Sequence, residues 1–200
     1  NVTDMILDDI PSIDELINEM KNNSLFCDVF MTEFGPKQIQ NLHKTASDDI
    51  ERLAAYLFRT ARLKGDYKIL NSQLFIKYPN YKITSPHQDG IYFNDPERTI
   101  YTFWIPLQDV SPENSCMHYV PKSNFDGLRK HIQIGSTLRT RTGNTGYSLM
   151  CDDYQLDEYI PVPLNFGDVV FHDQLTLHYS SQNKTNEKRV ALTLILEVLK

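Results

Sequence analysis

The sequence predicts an α+β protein in which helices precede a sandwich or barrel of short strands. Three observations carry that prediction. Up to about residue 65, apolar residues recur at helical spacing. After Gly65 the chain changes to runs rich in β-branched and aromatic residues, separated by connections containing Pro and Gly. No internal repeat or low-complexity stretch interrupts it, so residues 1–200 are expected to form one domain, with 1–65 as mainly helical support and 66–200 as the strand-rich core.

Each element has its own signal. Residues 12–23 (SIDELINEMKNN) start at Ser12, a good N-cap, with Glu15 three positions on in capping-box spacing. Residues 47–63 (SDDIERLAAYLFRTARL) place Ile50, Leu53, Ala54, Leu57 and Phe58 on one helical face. Strands are expected at 69–78, 99–107, 168–173 and 189–199. Residues 122–156 have weak periodicity and are expected to form a long insertion or lid, the kind of segment that often carries function.

Composition narrows the function classes. With a formal charge of −6 the chain offers no basic face, so no nucleic-acid partner is expected and a small-molecule ligand is favoured. The apolar run VALTLILEVL (190–199) is too short to span a bilayer, so no membrane span is expected. The first fifteen residues are acidic and lack an apolar core, so no signal peptide is expected. Cys27, Cys116 and Cys151 are odd in number and widely spaced, which points to reduced thiols and a cytoplasmic setting. A monomer and a homodimer are equally compatible with these features.

The chemistry centres on SPHQDGIYF (85–93). Residues i and i+2 of a strand share a face, so an extended 87–89 projects His87 and Asp89 together and Gln88 away. Taken alone, Asp89 before Gly90 is an ordinary turn residue. If the pair binds a metal, a third ligand comes from elsewhere, and His118, His131, His172 and His178 are the candidates in the strand-rich part. His178 has a strand-like context, and Arg189 follows eleven residues later at the head of the last apolar strand. A strand, a turn and a returning strand would bring Arg189 beside His178 or deeper in the same cavity. A buried Arg is costly unless it meets an anion, and its planar fork suits a carboxylate. Two His and one carboxylate on one face of a metal suit Fe(II) centres that activate O2, with open positions for a chelating 2-oxo acid. His172 competes as a ligand, although Asp173 and Gln174 read as a bend between it and His178.

Three stretches together resemble the phytanoyl-CoA dioxygenase family of Fe(II)/2-oxoglutarate oxygenases: HQD (87–89), TFWIPLQDVSPENSCMHYVPKSN (102–124) and GDVVFHDQLTLHYSSQNKTNEKRVAL (167–192). The resemblance covers roughly residues 70 to 198, and its strength lies in the order of the motifs. It implies a double-stranded β-helix, or jelly roll, supported by N-terminal helices. It further implies His87, Asp89 and His178 as catalytic iron ligands, with Arg189 on the distal carboxylate of 2-oxoglutarate. Ser180 would bond that carboxylate, Trp104 would line the cosubstrate pocket, and Gln73 would contact the cosubstrate. The implied reaction consumes 2-oxoglutarate and O2, releases succinate and CO2, and hydroxylates a small molecule. PKSN (121–124) departs from the Gly and His more usual in the family and is expected to be a structural turn. The retained Asp89 argues against halogenation, for which relatives carry a small residue.

Tyr92, Asn94 and Tyr101 are expected by position to line the substrate pocket. His118 and His131 are expected to be structural or lid residues, and Arg139 and Arg141 to lie on a solvated loop. Two other readings compete with the oxygenase: a non-catalytic jelly-roll module that binds a metal or ligand, and a cupin-like isomerase using another divalent metal. A purely structural metal site does not need Arg189 and Ser180, and the isomerase would not consume O2.

Overall fold

In the computed structural model, which describes residues 50–80, 83–93, 97–139, 145–152 and 155–199, the helix expected over 47–63 runs over 50–60 (α1). The helix expected at 12–23, Cys27, Asn94 and Arg141 lie outside the described residues. Ile50, Leu53, Ala54, Leu57 and Phe58 are all buried, as the helical spacing required. The chain leaves α1 through Arg62 at φ 55° and Gly65 at φ 95°. A Cβ on Gly65 would stand 3.3 Å from the Leu199 carbonyl oxygen, so both its space and its left-handed backbone favour glycine.

Ten strands follow: β1 (Asp66–Lys77), β2 (Thr84–His87), β3 (Thr99–Pro106), β4 (Met117–Tyr119), β5 (His131–Arg139), β6 (Thr145–Cys151), β7 (Ile160–Val162), β8 (Val170–Asp173), β9 (His178–Ser180) and β10 (Arg189–Leu199). They form an antiparallel major sheet in the order β1-β10-β3-β8 and an antiparallel minor sheet in the order β2-β9-β4-β7. The two sheets make the expected jelly roll.

Alternation along the central strands explains how the layers assemble. Leu192, Leu194 and Leu196 of β10, with Phe103 and Ile105 of β3, pack against α1. Residues of opposite parity, Trp104 and Ala191, pack with Cys116, Met117 and Tyr119 from the β4 region, so the second core lies between the sheets. Arg189 and Thr193 share the parity of Ala191, and Thr102 shares that of Trp104. Strands that read as nearly continuous apolar runs therefore serve two cores, one on each face.

Two local expectations change. Part of the segment 122–156 is regular: a 3-10 turn at Ser123–Asp126 and the hairpin β5-β6, which packs against β2. Its strands carry Gly, Thr, Gln and Arg in place of an apolar alternation, so their pattern was weak. β9 and β10 are also not partners in one sheet: the connection between them crosses from the minor sheet to the major one, and Arg189 stands opposite Lys77 of β1.

Candidate active site

Three donors from three short elements meet between the sheets. His87 ends β2, His178 begins β9, and the two are paired across the ladder. Gln88 remains extended at φ −115° and ψ 132°, so Asp89, which opens a 3-10 turn, still projects with His87. Asp89 Oδ1 lies 3.5 Å from His87 Nε2 and 3.6 Å from His178 Nε2. One ligand atom from each residue falls within 4.8 Å of the other two.

The remaining atoms of the three side chains are occupied. His87 Nδ1 lies 2.7 Å from the Ser85 carbonyl and His178 Nδ1 lies 2.9 Å from the Thr176 carbonyl. A carbonyl can only accept, so each Nδ1 carries a proton and each Nε2, when the ring is neutral, presents a lone pair inward. Asp89 Oδ2 accepts the Thr102 hydroxyl at 2.6 Å and lies 3.3 Å from His172 Nε2. Its Oδ1 is thereby the oxygen directed toward the two imidazoles. Burial alone would raise the Asp89 carboxyl, but His178, His172 and His87 hold it well below its ordinary value. Burial and the neighbouring imidazoles His172 and His87 push His178 well down. Burial, the largest single influence, also opposes charge on His87, but the bond to Asp89, the charge of that carboxylate and the Ser85 carbonyl together outweigh it and raise the group. Two inward lone pairs and one carboxylate oxygen fit a divalent cation, with outer partners that fix each ligand's orientation.

A second group of polar residues, on the same face of β10 as Ala191, is cationic. Arg189 is 3% exposed, and its Nε and Nη1 have no hydrogen-bond partner among the described residues. Its guanidinium sits 5.3 Å above the centre of the Trp104 ring. Burial lowers it to about 10, leaving it charged at neutral pH. Ser180 is buried two residues beyond His178 on the same face of β9. Its hydroxyl lies 2.8 Å from the Nζ of Lys77, which is 4% exposed. An orphaned buried guanidinium beside a hydroxyl is suited to a carboxylate.

The other expected residues divide. Tyr92 stands edge-on to His87, with ring centres 6.0 Å apart, and is half exposed at the mouth of the site. Tyr101 is a correction: it packs into the α1 core and contacts Phe171, because its parity on β3 is opposite to that of Thr102. The backbone of Gln73 pairs with Thr193, and its side chain lies outside the described ones. His118 stacks on Tyr179, and His131 Nε2 accepts the Gln88 backbone N–H at 3.0 Å. His172 is bonded to Tyr119 at 3.1 Å and to Asp89, so it orients the carboxylate.

Three residues escaped the sequence reading. Thr102 was legible as the residue two before Trp104 on one face of a strand. Lys77 was legible as a lysine closing an apolar strand. Gln88 is fully buried; its amide donates to the carbonyls of Gly127 and Leu175 and accepts the Arg129 N–H, tying the two ligand positions to the loops on either side. No pattern in HQD distinguishes that Gln from a solvated one.

The family model described as phytanoyl-CoA dioxygenase (PhyH) matches residues 18–191. The chain belongs to the phytanoyl-CoA dioxygenase family. Among curated relatives in this family, phytanoyl-CoA dioxygenase domain-containing protein 1 of Rattus norvegicus is 28% identical over 131 residues, 64% of this chain and 44% of that protein. Phytanoyl-CoA dioxygenase 1 of Oryza sativa subsp. japonica is 28% identical over 140 residues, 69% of this chain and 47% of that protein. The chain thus spans about half the length of the curated relatives it matches. Among solved structures, EvdO2 from Micromonospora carbonacea var. aurantiaca in complex with 2-oxoglutarate is 29% identical, with a TM-score of 0.57 over 66% of this chain and 52% of that one. The epimerase SnoN, complexed with Fe3+, alpha ketoglutarate and nogalamycin RO, shares the fold at 19% identity, with a TM-score of 0.61 over 94% of this chain and 77% of that one. Among the described residues, no helix is long and apolar enough to cross a membrane.

Proposed function

We propose that this member of the phytanoyl-CoA dioxygenase family is an Fe(II)/2-oxoglutarate-dependent dioxygenase that hydroxylates a small molecule. The observation that carries the reading is that two polar half-sites are joined through β9, which carries His178 and, two residues on, the Ser180 bonded to the lysine that faces Arg189. Two Nε2 lone pairs and Asp89 Oδ1 converge at one end, and Arg189 stands buried without an anion at the other. A metal-binding module would use the first half and leave the cost of the second unexplained. The 2-oxoglutarate bound to EvdO2, a similar protein, supports the same assignment.

In this reading His87, Asp89 and His178 hold the iron. Bound there with 2-oxoglutarate, it supplies the activation of O2 that couples loss of CO2, leaving succinate, to oxidation of a substrate C–H bond. The chain's own groups bind and orient. Arg189 pairs with the distal carboxylate and Ser180 donates to it, while Trp104 supplies an apolar wall. Thr102 and His172 hold Asp89 Oδ2, which leaves Oδ1 as the oxygen that would meet the iron. Tyr92 stands at the mouth, where substrate would enter.

The test is turnover of carboxyl-labelled 2-oxoglutarate with Fe(II) and ascorbate under air, followed as labelled CO2 and as succinate. The expected result is slow, metal-dependent release even without substrate, abolished in His178→Ala. If the protein binds Fe(II) and 2-oxoglutarate but releases no CO2 with any candidate substrate, it is the binding module instead.

A further inference from the structure

Lys77 is a buried lysine. It ends β1 and stands directly opposite Arg189 in the β1-β10 ladder. The two cations are 4% and 3% exposed. Like charges facing each other across a ladder repel, and burial deepens the cost. Neither makes an ion pair with a carboxylate among the described residues; the influences on Lys77 are burial and Arg189, and those on Arg189 are burial and Cys116. Lys77 differs from Arg189 in one respect. It donates to Ser180 Oγ at 2.8 Å, to the Ser180 carbonyl at 3.3 Å and to the Ser181 carbonyl at 2.8 Å. All three contacts of the ammonium group go to Ser180 and Ser181, at the end of the strand that carries His178.

The contact with Ser180 Oγ has a chemical consequence. A hydroxyl oxygen that accepts from an ammonium is freed to send its own proton elsewhere. The Ser180 hydroxyl is thereby set as a donor, and Lys77 also bridges the major sheet to the minor one at the level of Arg189.

We infer that Lys77 is a positioning residue for the distal carboxylate of the 2-oxo acid: it fixes the Ser180 hydroxyl as a donor and adds a second positive charge beside Arg189, so the site selects dicarboxylic over monocarboxylic 2-oxo acids. The inference rests on the 2-oxoglutarate reading above and adds a residue that the reading does not need. No covalent step is involved.

Trp104 is the protein's single tryptophan and stacks on Arg189, so its fluorescence reports on this pocket without turnover. The experiment titrates the full chain, loaded with Mn(II) under argon, with 2-oxoglutarate and separately with 2-oxobutyrate. Wild type, Lys77→Met, Ser180→Ala and the double variant are compared. Lys77→Met is expected to weaken 2-oxoglutarate binding about tenfold or more, the scale of a charge-assisted bond, and to leave 2-oxobutyrate within about twofold. The double variant is expected to lose less than the product of the two single losses, because Lys77 acts through Ser180. Lys77→Arg, which keeps the charge, is expected to recover part of the preference for the dicarboxylate. Equal losses for both acids would overturn the inference in favour of a general packing role, as would unchanged 2-oxoglutarate binding in Lys77→Met. Failure of wild type itself to bind 2-oxoglutarate would sink the functional reading rather than the role of Lys77. If Lys77→Met does not fold, Lys77→Arg and Ser180→Ala carry the same comparison: the inference then requires a selective dicarboxylate loss in Ser180→Ala.

Discussion

The two polar half-sites are built on opposite principles. At the metal end, the outer atoms of all three ligands are engaged: Ser85 and Thr176 hold the imidazoles, and Thr102 with His172 holds Asp89. At the proposed cosubstrate end, Arg189 lacks a partner for two of its donors among the described residues and faces Lys77 across the ladder. The first end is pre-organised by hydrogen bonds that the fold supplies; the second holds uncompensated charge that an anion neutralises. Substitutions should therefore act differently at the two ends: on metal occupancy at one, and on cosubstrate affinity at the other.

The largest expected effect is loss of a ligand. His87→Ala or His178→Ala should abolish stoichiometric binding of Co(II), read by its visible absorption, and all turnover, while the circular dichroism spectrum stays native. Normal Co(II) spectra in either variant would place the metal elsewhere. Next comes Arg189→Met. Removing one partner of a buried charge pair costs roughly 2–5 kcal/mol, so 2-oxoglutarate affinity should fall by about thirtyfold or more. Ligand-free stability should be unchanged or rise, because apolar replacement of an uncompensated buried charge removes its desolvation cost and its repulsion by Lys77. A large drop in the denaturant midpoint with unchanged 2-oxoglutarate binding would reverse the contrast between the two ends.

Thr102→Val should be milder. It removes one of the two bonds that direct Asp89, and outer-partner losses weaken metal affinity by about 10–100-fold, so the low end of that range is expected, with 2-oxoglutarate affinity at saturating metal unchanged. The smallest effect is a pH dependence confined to the cationic end. Burial, reinforced by Arg189, pushes Lys77 down to about 7. Its protonated form attracts the anion, and bound anion in turn holds the proton, so 2-oxoglutarate affinity should fall as pH rises from 7 toward 9. Arg189 stays charged below about 10, Cys116 stays neutral below about 11, and burial keeps His118 low, so these neighbours do not titrate in that window. In Lys77→Met the slope, measured relative to 2-oxobutyrate, should be flat.

Much of this arrangement was legible because it rests on short-range rules. The spacing of α1 named its buried face, and β-branched runs located β1, β3, β8 and β10. Motif order joined His87 and Asp89 to His178, residues whose side chains meet only in the folded chain. The rest failed for physical reasons. Hairpin β5-β6 has too little apolar alternation to read as strands. The route from β9 to β10 was drawn as a hairpin because turn residues signal a reversal but not the sheet to which the chain returns. Tyr101 was placed by proximity in sequence, although alternation with Thr102 and Trp104 already sent it to the other face. Lys77 and Gln88 are long-range bridges whose partners lie as far as 104 and 87 residues away, and no local pattern encodes such contacts.

The central claim is that both half-sites serve one chelated 2-oxo acid. The most direct measurement adds 2-oxoglutarate to the Fe(II)-loaded protein under argon and records the visible spectrum. A metal-to-ligand charge-transfer band should appear with wild type, form at much higher 2-oxoglutarate concentration with Arg189→Met, and be absent with His178→Ala. A wild-type protein that binds Fe(II) in stoichiometric amount yet shows no band at saturating 2-oxoglutarate would contradict the account.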